Sequence, residues 1–249
     1  MTTASHNTVS GRWPASVLRR VVRDLAVGLV AVLAMASVTR WLLALADVYL
    51  LQSVALYGLL AALVLRYGPD DLSEVGLGTA NRVTLGRASL VLPVSTLAVP
   101  PTLITDAICW WIIAVSTVAM ILDGVDGWIA RRTQTGTNFG SRFDMELDAF
   151  LMLALSVLVW RSTQVGPWVL LIGSLRYVFV AGGWVWPALQ AALPPSRRRK
   201  TICVVQSVML LVCLGPIIPG ALASSAAAGA LAILVYSFAV DTRWLLAGR

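Results

Sequence analysis

The chain has 249 residues, 58% hydrophobic and only 12% charged, with a mean hydropathy of +0.82. Soluble domains carry about twice that share of charge, so a freely soluble globular protein is excluded. The formal charge of +7 raises nucleic acid as a partner, but the basic residues sit in the joints between apolar runs, no nucleic-acid module is present, and that partner is set aside.

In chain order, residues 1–24 read as a basic cytoplasmic arm carrying Arg12, Arg19, Arg20 and Arg23, with the single histidine, His6. Apolar runs at 25–39 and 49–65, joined near 41–48, predict an N-terminal transmembrane hairpin over 25–66. Residues 66–87 are polar and hold Asp70, Asp71, Glu74 and the segment Asn81-Arg82-Val83-Thr84-Leu85-Gly86-Arg87. A short run at 88–99, completed by its flanks, begins a membrane domain over 67–249. Further runs at 107–122, 150–159, 169–185, 202–218 and 221–240 supply the remaining spans. The fold expected is an all-α polytopic membrane protein with a six-helix core behind the hairpin. Trp110, Trp111, Trp160, Trp168, Trp184 and Trp186 fall at run ends, where amphipathic rings favour the interface. Cys109, Cys203 and Cys213 lie inside apolar runs without paired spacing, so they read as small core residues.

Threading the spans with the N-terminus inside puts 16 of the 19 basic residues on the inner side; only Arg40, Arg161 and Arg176 fall elsewhere. That asymmetry is what the positive-inside rule requires. It places the active face toward the cytoplasm of a cell membrane.

The chemistry concentrates in 123–148, which holds five of the twelve acidic residues. Asp123 and Asp126 are three apart and Asp144 and Asp148 four apart, so each pair shares one helix face. Asp123, Gly127 and Arg131 make one stripe with Asp126 and Ala130 beside it, and Gly140, Asp144 and Asp148 make a second. The small residues beside each carboxylate face leave room for a flat ligand to approach the backbone. Arg131, two turns from Asp123, is placed to hold a phosphate. Close carboxylates repel one another and need cations, and no nearby set of lysines supplies them. Two oxygen-rich half-sites suit a pair of Mg²⁺ or Mn²⁺ ions, the arrangement that clamps a phosphoryl centre. Glu146, two residues from Asp144, points to another face and is expected to pair with Arg142.

The stretch fits the pattern D-x2-D-G-x2-A-R-x8-G-x3-D-x3-D at every position and so resembles the CDP-alcohol phosphatidyltransferases. Asn81, Thr84 and Arg87 resemble that family's segment ahead of its first core span, and Arg199, Lys200, Thr201 and Gln206 its basic lead into the fifth. The resemblance implies transfer of a phosphatidyl group from a CDP-diacylglycerol-type lipid to a small polar alcohol, releasing CMP. It implies that Asp123, Asp126 and Asp144 hold the two divalent cations and that Asp148 completes the site as general base. It further implies that Gly127, Ala130, Arg131, Gly140 and Thr84 line the CDP pocket, and that the protein is a homodimer.

Arg176 lies inside an apolar run, where an arginine marks either a functional site or a helix pair. With Arg199 and Lys200 it is a candidate for holding a phosphate on the acceptor. A membrane prenyltransferase also binds magnesium pyrophosphate through Asp-rich helices, but it needs a second such motif. An ion-coupled transporter needs carboxylates near the bilayer midplane.

Overall fold

The computed structural model describes residues 13–68, 77–99, 103–133, 138–191, 193–194 and 196–247. Among them are eight α-helices and two single-turn 3-10 segments. The helices are α1 (Ala15–Leu43), α2 (Val48–Tyr67), α3 (Gly78–Thr96), α4 (Asp106–Thr133), α5 (Asn138–Arg161), α6 (Leu170–Val185), α7 (Arg197–Leu214) and α8 (Gly220–Leu246). The chain is an integral, polytopic membrane protein: α1, α2, 106–124 of α4, α6 with the short turn before it, and α8 are long and apolar enough to cross a bilayer. Side chains such as Val27, Val30, Leu51 and Leu222 stand exposed on the outer helix faces, an arrangement that hydrocarbon favours and water does not.

The three remaining helices, α3, α5 and α7, are diluted by polar residues in their first halves, and two of them, α3 and α5, lie at the centre. α3 packs against α1, α2, α4 and α5, and α5 packs against α3, α6 and α7. The core that binds them is made of Val91, Val94, Leu97, Ile112, Leu155 and Leu158, all essentially without solvent contact. A Cβ built on Gly173 of α6 would fall 2.5 Å from the Leu153 Cα of α5, so the closeness of these two helices depends on glycine.

Two boundaries differ from the sequence reading. α1 begins at Ala15, inside the basic arm, because Val17, Val21, Leu25, Val32 and Ala36 keep one buried stripe while Arg19, Arg20 and Arg23 face out. α3 begins at Gly78, ten residues ahead of its apolar run. Asn81, Thr84 and Arg87 therefore lie on a helix, not in a polar joint, and all three are buried.

Polar bonds join the hairpin to the rest. Tyr49 Oη donates to the Pro93 carbonyl at 2.8 Å, Ser53 Oγ meets Thr96 Oγ1 at 3.3 Å, and Trp111 Nε1 donates to Thr39 Oγ1 at 3.1 Å. Asp24, buried on α1, accepts from Arg82 Nε at 3.1 Å and from the Leu77 backbone N–H at 3.4 Å. In an apolar surrounding each such bond is costly to leave unmade, so α1 and α2 are fixed on α3 at both of its ends.

Candidate active site

Helical periodicity brings Asp144 and Asp148 to one face of α5, and α4 delivers Asp123 opposite them. One oxygen from each of Asp123, Asp144 and Asp148 lies within 4.8 Å of the others, the only such convergence of three potential ligand groups among the described residues. All three are partly open to solvent, with 33%, 39% and 28% of the side chain exposed, so a soluble ion or phosphate can reach them. The donor set is oxygen only, which suits a hard divalent cation. This cluster could hold a metal ion.

The residue that sequence reasoning missed lies at its centre. Arg87 of α3 is 2% exposed and directs its guanidinium at all three carboxylates. Its Nη1 is 2.7 Å from Asp123 Oδ1 and also bonds Asp144 Oδ1, while Nη2 reaches Asp148 Oδ1 at 2.6 Å. Nε donates to the Ala119 carbonyl on α4 at 3.3 Å. An arginine so deeply buried is held by its partners, since an unpaired charge there would cost several kcal/mol. The counter-charge that the carboxylates need comes in part from this residue, 36 positions before Asp123 in the chain. The i, i+3, i+6 spacing of Asn81, Thr84 and Arg87 was the available signal, once 78–87 is read as helix. One guanidinium against three carboxylates leaves a formal charge of −2, so the cluster still calls for cations.

Thr84, one turn before Arg87, is 8% exposed, and Gly140 on α5 is buried one turn before Asp144. Asp126, Gly127, Ala130 and Arg131 ride on the last turns of α4, but their side chains lie outside the described residues. On α3, Asn81 is 2% exposed; its Nδ2 donates to the Leu77 carbonyl at 2.7 Å, while its Oδ1 has no partner among the described residues.

The pairing expected of Glu146 is corrected. It bonds Arg176 of α6, not Arg142, because α6 lies closely against α5 and brings an apolar-run arginine to the opposing charge. Arg176 is thus a helix-pairing residue in this structure and does not contact the carboxylate cluster. Arg199 Nη1 is 3.3 Å from Asp241 Oδ1 of α8, and Arg198 also bonds Asp241 while donating to the Ser237 carbonyl at 2.9 Å. Lys200 is exposed and has no ion pair among the described residues.

The fold and the site together define an integral membrane protein of the enzyme type that gathers carboxylates from neighbouring helices into one centre. The profile of the CDP-alcohol phosphatidyltransferase family matches residues 77–240, well over half of the chain, and the protein belongs to that family. The match runs from the start of α3 to most of α8 and leaves α1 and α2 outside. A curated relative, "CDP-diacylglycerol--glycerol-3-phosphate 3-phosphatidyltransferase 2" of Arabidopsis thaliana, is 28% identical over 121 residues, covering 44% of this chain and 48% of the relative. The chain thus spans about half the length of that relative. No solved structure matches the chain.

Proposed function

We propose that the chain transfers a phosphatidyl group from a CDP-linked lipid of the CDP-diacylglycerol type to the hydroxyl of a small, polar, phosphorylated alcohol, releasing CMP. The observation that carries this reading is the meeting of Asp123, Asp144 and Asp148 at one point, from positions that match the family's motif. Residues 67–249 form the catalytic membrane domain of six helices, the hairpin of α1 and α2 is an addition to it, and the arm ahead of α1 is cytoplasmic. The active face opens to the cytoplasm of a cell membrane, and the working unit is a homodimer.

Asp123, Asp126 and Asp144, completed by Asp148, would hold two divalent cations, Mg²⁺ or Mn²⁺. When bound, these ions neutralise the pyrophosphate and stabilise charge on the departing CMP. Thr84, Gly127, Ala130, Arg131 and Gly140 line the CDP pocket, with Arg131 on a phosphate. Arg87 keeps the carboxylates from repelling one another and orients Asp148 through Oδ1. Asp148 then takes the proton of the acceptor hydroxyl as its oxygen attacks the lipid-side phosphorus. The bond from that phosphorus to the CMP oxygen breaks, and the electron pair leaves with CMP.

A phosphorylated acceptor is supported by the surplus of positive charge at the start of α7. Arg199 and Lys200 would meet the acceptor phosphate, and Arg176 would join them only by exchanging Glu146 for it. The relative's name, which includes glycerol-3-phosphate, points the same way. A prenyltransferase reading has less support: among the described residues Asp24, Asp47 and Asp241 are each paired with arginine in separate places and form no second acidic motif. The test is purified protein with CDP-diacylglycerol, Mn²⁺ or Mg²⁺ and a panel of free and phosphorylated alcohols. Metal-dependent CMP release with a phosphorylated acceptor is expected. Release with free alcohols alone would overturn the acceptor, and no release with any would overturn the reaction.

A further inference from the structure

The hairpin contributes no residue to the carboxylate cluster, but it walls a second site. A groove of about 680 Å³ runs between α2 and α5, floored by Leu92 of α3 and bounded at one side by Tyr177 of α6. Its α2 wall extends from Leu56 to Tyr67 and its α5 wall from Phe139 to Phe150. At 1.5 Å per residue either wall is roughly 17 Å long, close to the ~15 Å of one leaflet's hydrocarbon. The volume falls within the range of pockets that enclose small ligands. Leu60, Leu63, Phe143 and Phe150 make the lining apolar. This wall exists only because α2 is present, and α2 lies outside the segment matched by the family profile.

The groove is not apolar along its whole length. Tyr67, exposed at the end of α2, and Arg142, exposed on the first turns of α5, stand at the same end. Arg142 makes no ion pair among the described residues, since Glu146, which also lines the groove, has its charge answered by Arg176. A tyrosine and an unpaired arginine at the mouth of a leaflet-long apolar slot match a phosphate above a hydrocarbon chain.

We propose that this groove binds one acyl chain of an anionic phospholipid from the surrounding bilayer, with the lipid phosphate against Arg142. The site is separate from the carboxylate cluster: the groove uses the Phe139, Phe143 and Phe150 face of α5, whereas Asp144 and Asp148 look toward Arg87. The hairpin is then a lipid clasp on the outside of the catalytic domain, and it stands whether or not the reaction proposed above is correct.

Photolabelling of the full chain in phosphatidylcholine vesicles tests this, using trace phosphatidylglycerol with a diazirine at the end of one acyl chain. Labelled peptides should map to the Leu56–Leu60 part of α2 and the Leu147–Phe150 part of α5. The same probe built on phosphatidylcholine should label these roughly fivefold less, the effect of one interfacial arginine on an anionic lipid. Leu60→Trp, which fills the groove, should abolish the label, and Arg142→Gln should equalise the two probes. Mapping on the native chain needs no variant, so misfolding of L60W leaves the test intact. Labelling spread evenly over the exposed faces of α1 and α8, or equal labelling by both probes on the native chain, would overturn the proposal. So would displacement of the label by CDP-diacylglycerol at concentrations where unlabelled phosphatidylglycerol has no effect, because the groove would then belong to the donor.

Discussion

Two charge clusters in this protein are built with opposite stoichiometry. Between α3, α4 and α5, one arginine faces three carboxylates; between α7 and α8, one carboxylate, Asp241, faces Arg198 and Arg199. In each, the lone member is the buried one: Arg87 is 2% exposed and Asp241 10% by side chain, whereas their partners reach solvent. The buried residue fixes the geometry and its partners present the surplus charge outward. A surplus of negative charge invites cations, and a surplus of positive charge, with Lys200 beside it, invites a phosphate. The reaction proposed above, in which a phosphorylated alcohol attacks the lipid-side phosphorus of a metal-bound pyrophosphate and CMP leaves, would use one cluster of each kind.

The largest effect expected is at the first cluster. Asp148→Asn keeps the shape and the contact with Arg87 but removes the proposed base, so CMP release should fall by about 10²–10⁴ in kcat. The apparent affinity for CDP-diacylglycerol should move little. A variant with near-normal kcat would show that Asp148 is only a ligand and would break the division of roles inside the cluster.

Arg87→Gln comes next, and its readout is stability. Three carboxylates, each about a third exposed, would lose their shared counter-charge and hydrogen-bond donor, which should destabilise the protein by about 1–3 kcal/mol in the absence of divalent cations. Thermal melting in EDTA and in Mn²⁺ measures this. Mn²⁺ should restore much of the loss, because it answers the same electrostatic need. Equal losses in both conditions would mean that Arg87 acts by packing alone.

How much of this was legible beforehand follows from which interactions are periodic. The spans and the two carboxylate faces depend on residues three and four apart, so spacing displayed them. Arg87 did not show itself as a site residue, because its role arises from α3 crossing α4 and α5, and no spacing encodes a crossing. Its helix was also hidden by composition: 78–87 reads as a polar joint because the residues that enter the site are polar. Glu146 was misassigned for the same reason, as a partner four residues away on one helix is visible in sequence and a partner on α6 is not. Asp24 gave no signal at all, since its partner Arg82 lies 58 positions on.

The second cluster is tested more gently. Arg199→Ala leaves Asp241 paired with Arg198, so folding should survive. The apparent KM for a phosphorylated acceptor should rise by roughly tenfold, the worth of one charge-assisted contact of about 1.5 kcal/mol. The KM for the lipid donor should stay fixed. A rise in both would show that the α7 cluster serves the whole site, and the contrast between a cation-seeking and a phosphate-seeking cluster would fail.

The smallest effect asks whether the hairpin belongs to this contrast. Asp24 joins α1 to the start of α3 through Arg82 and the Leu77 N–H, and α3 in turn carries Arg87. Asp24→Asn keeps an acceptor for the backbone N–H but loses the charge opposite Arg82, which is itself partly exposed. A loss of about 1 kcal/mol is expected. The far end of α3 is held independently by Tyr49 on the Pro93 carbonyl and by Arg161 Nη1 on the Leu97 carbonyl at 3.1 Å. Arg87 should therefore keep its place, and CMP release should change by less than about twofold. If Asp24→Asn lowered kcat as far as Arg87→Gln, the hairpin would be setting the position of the buried arginine, and the first cluster would have to be redrawn with α1 inside it.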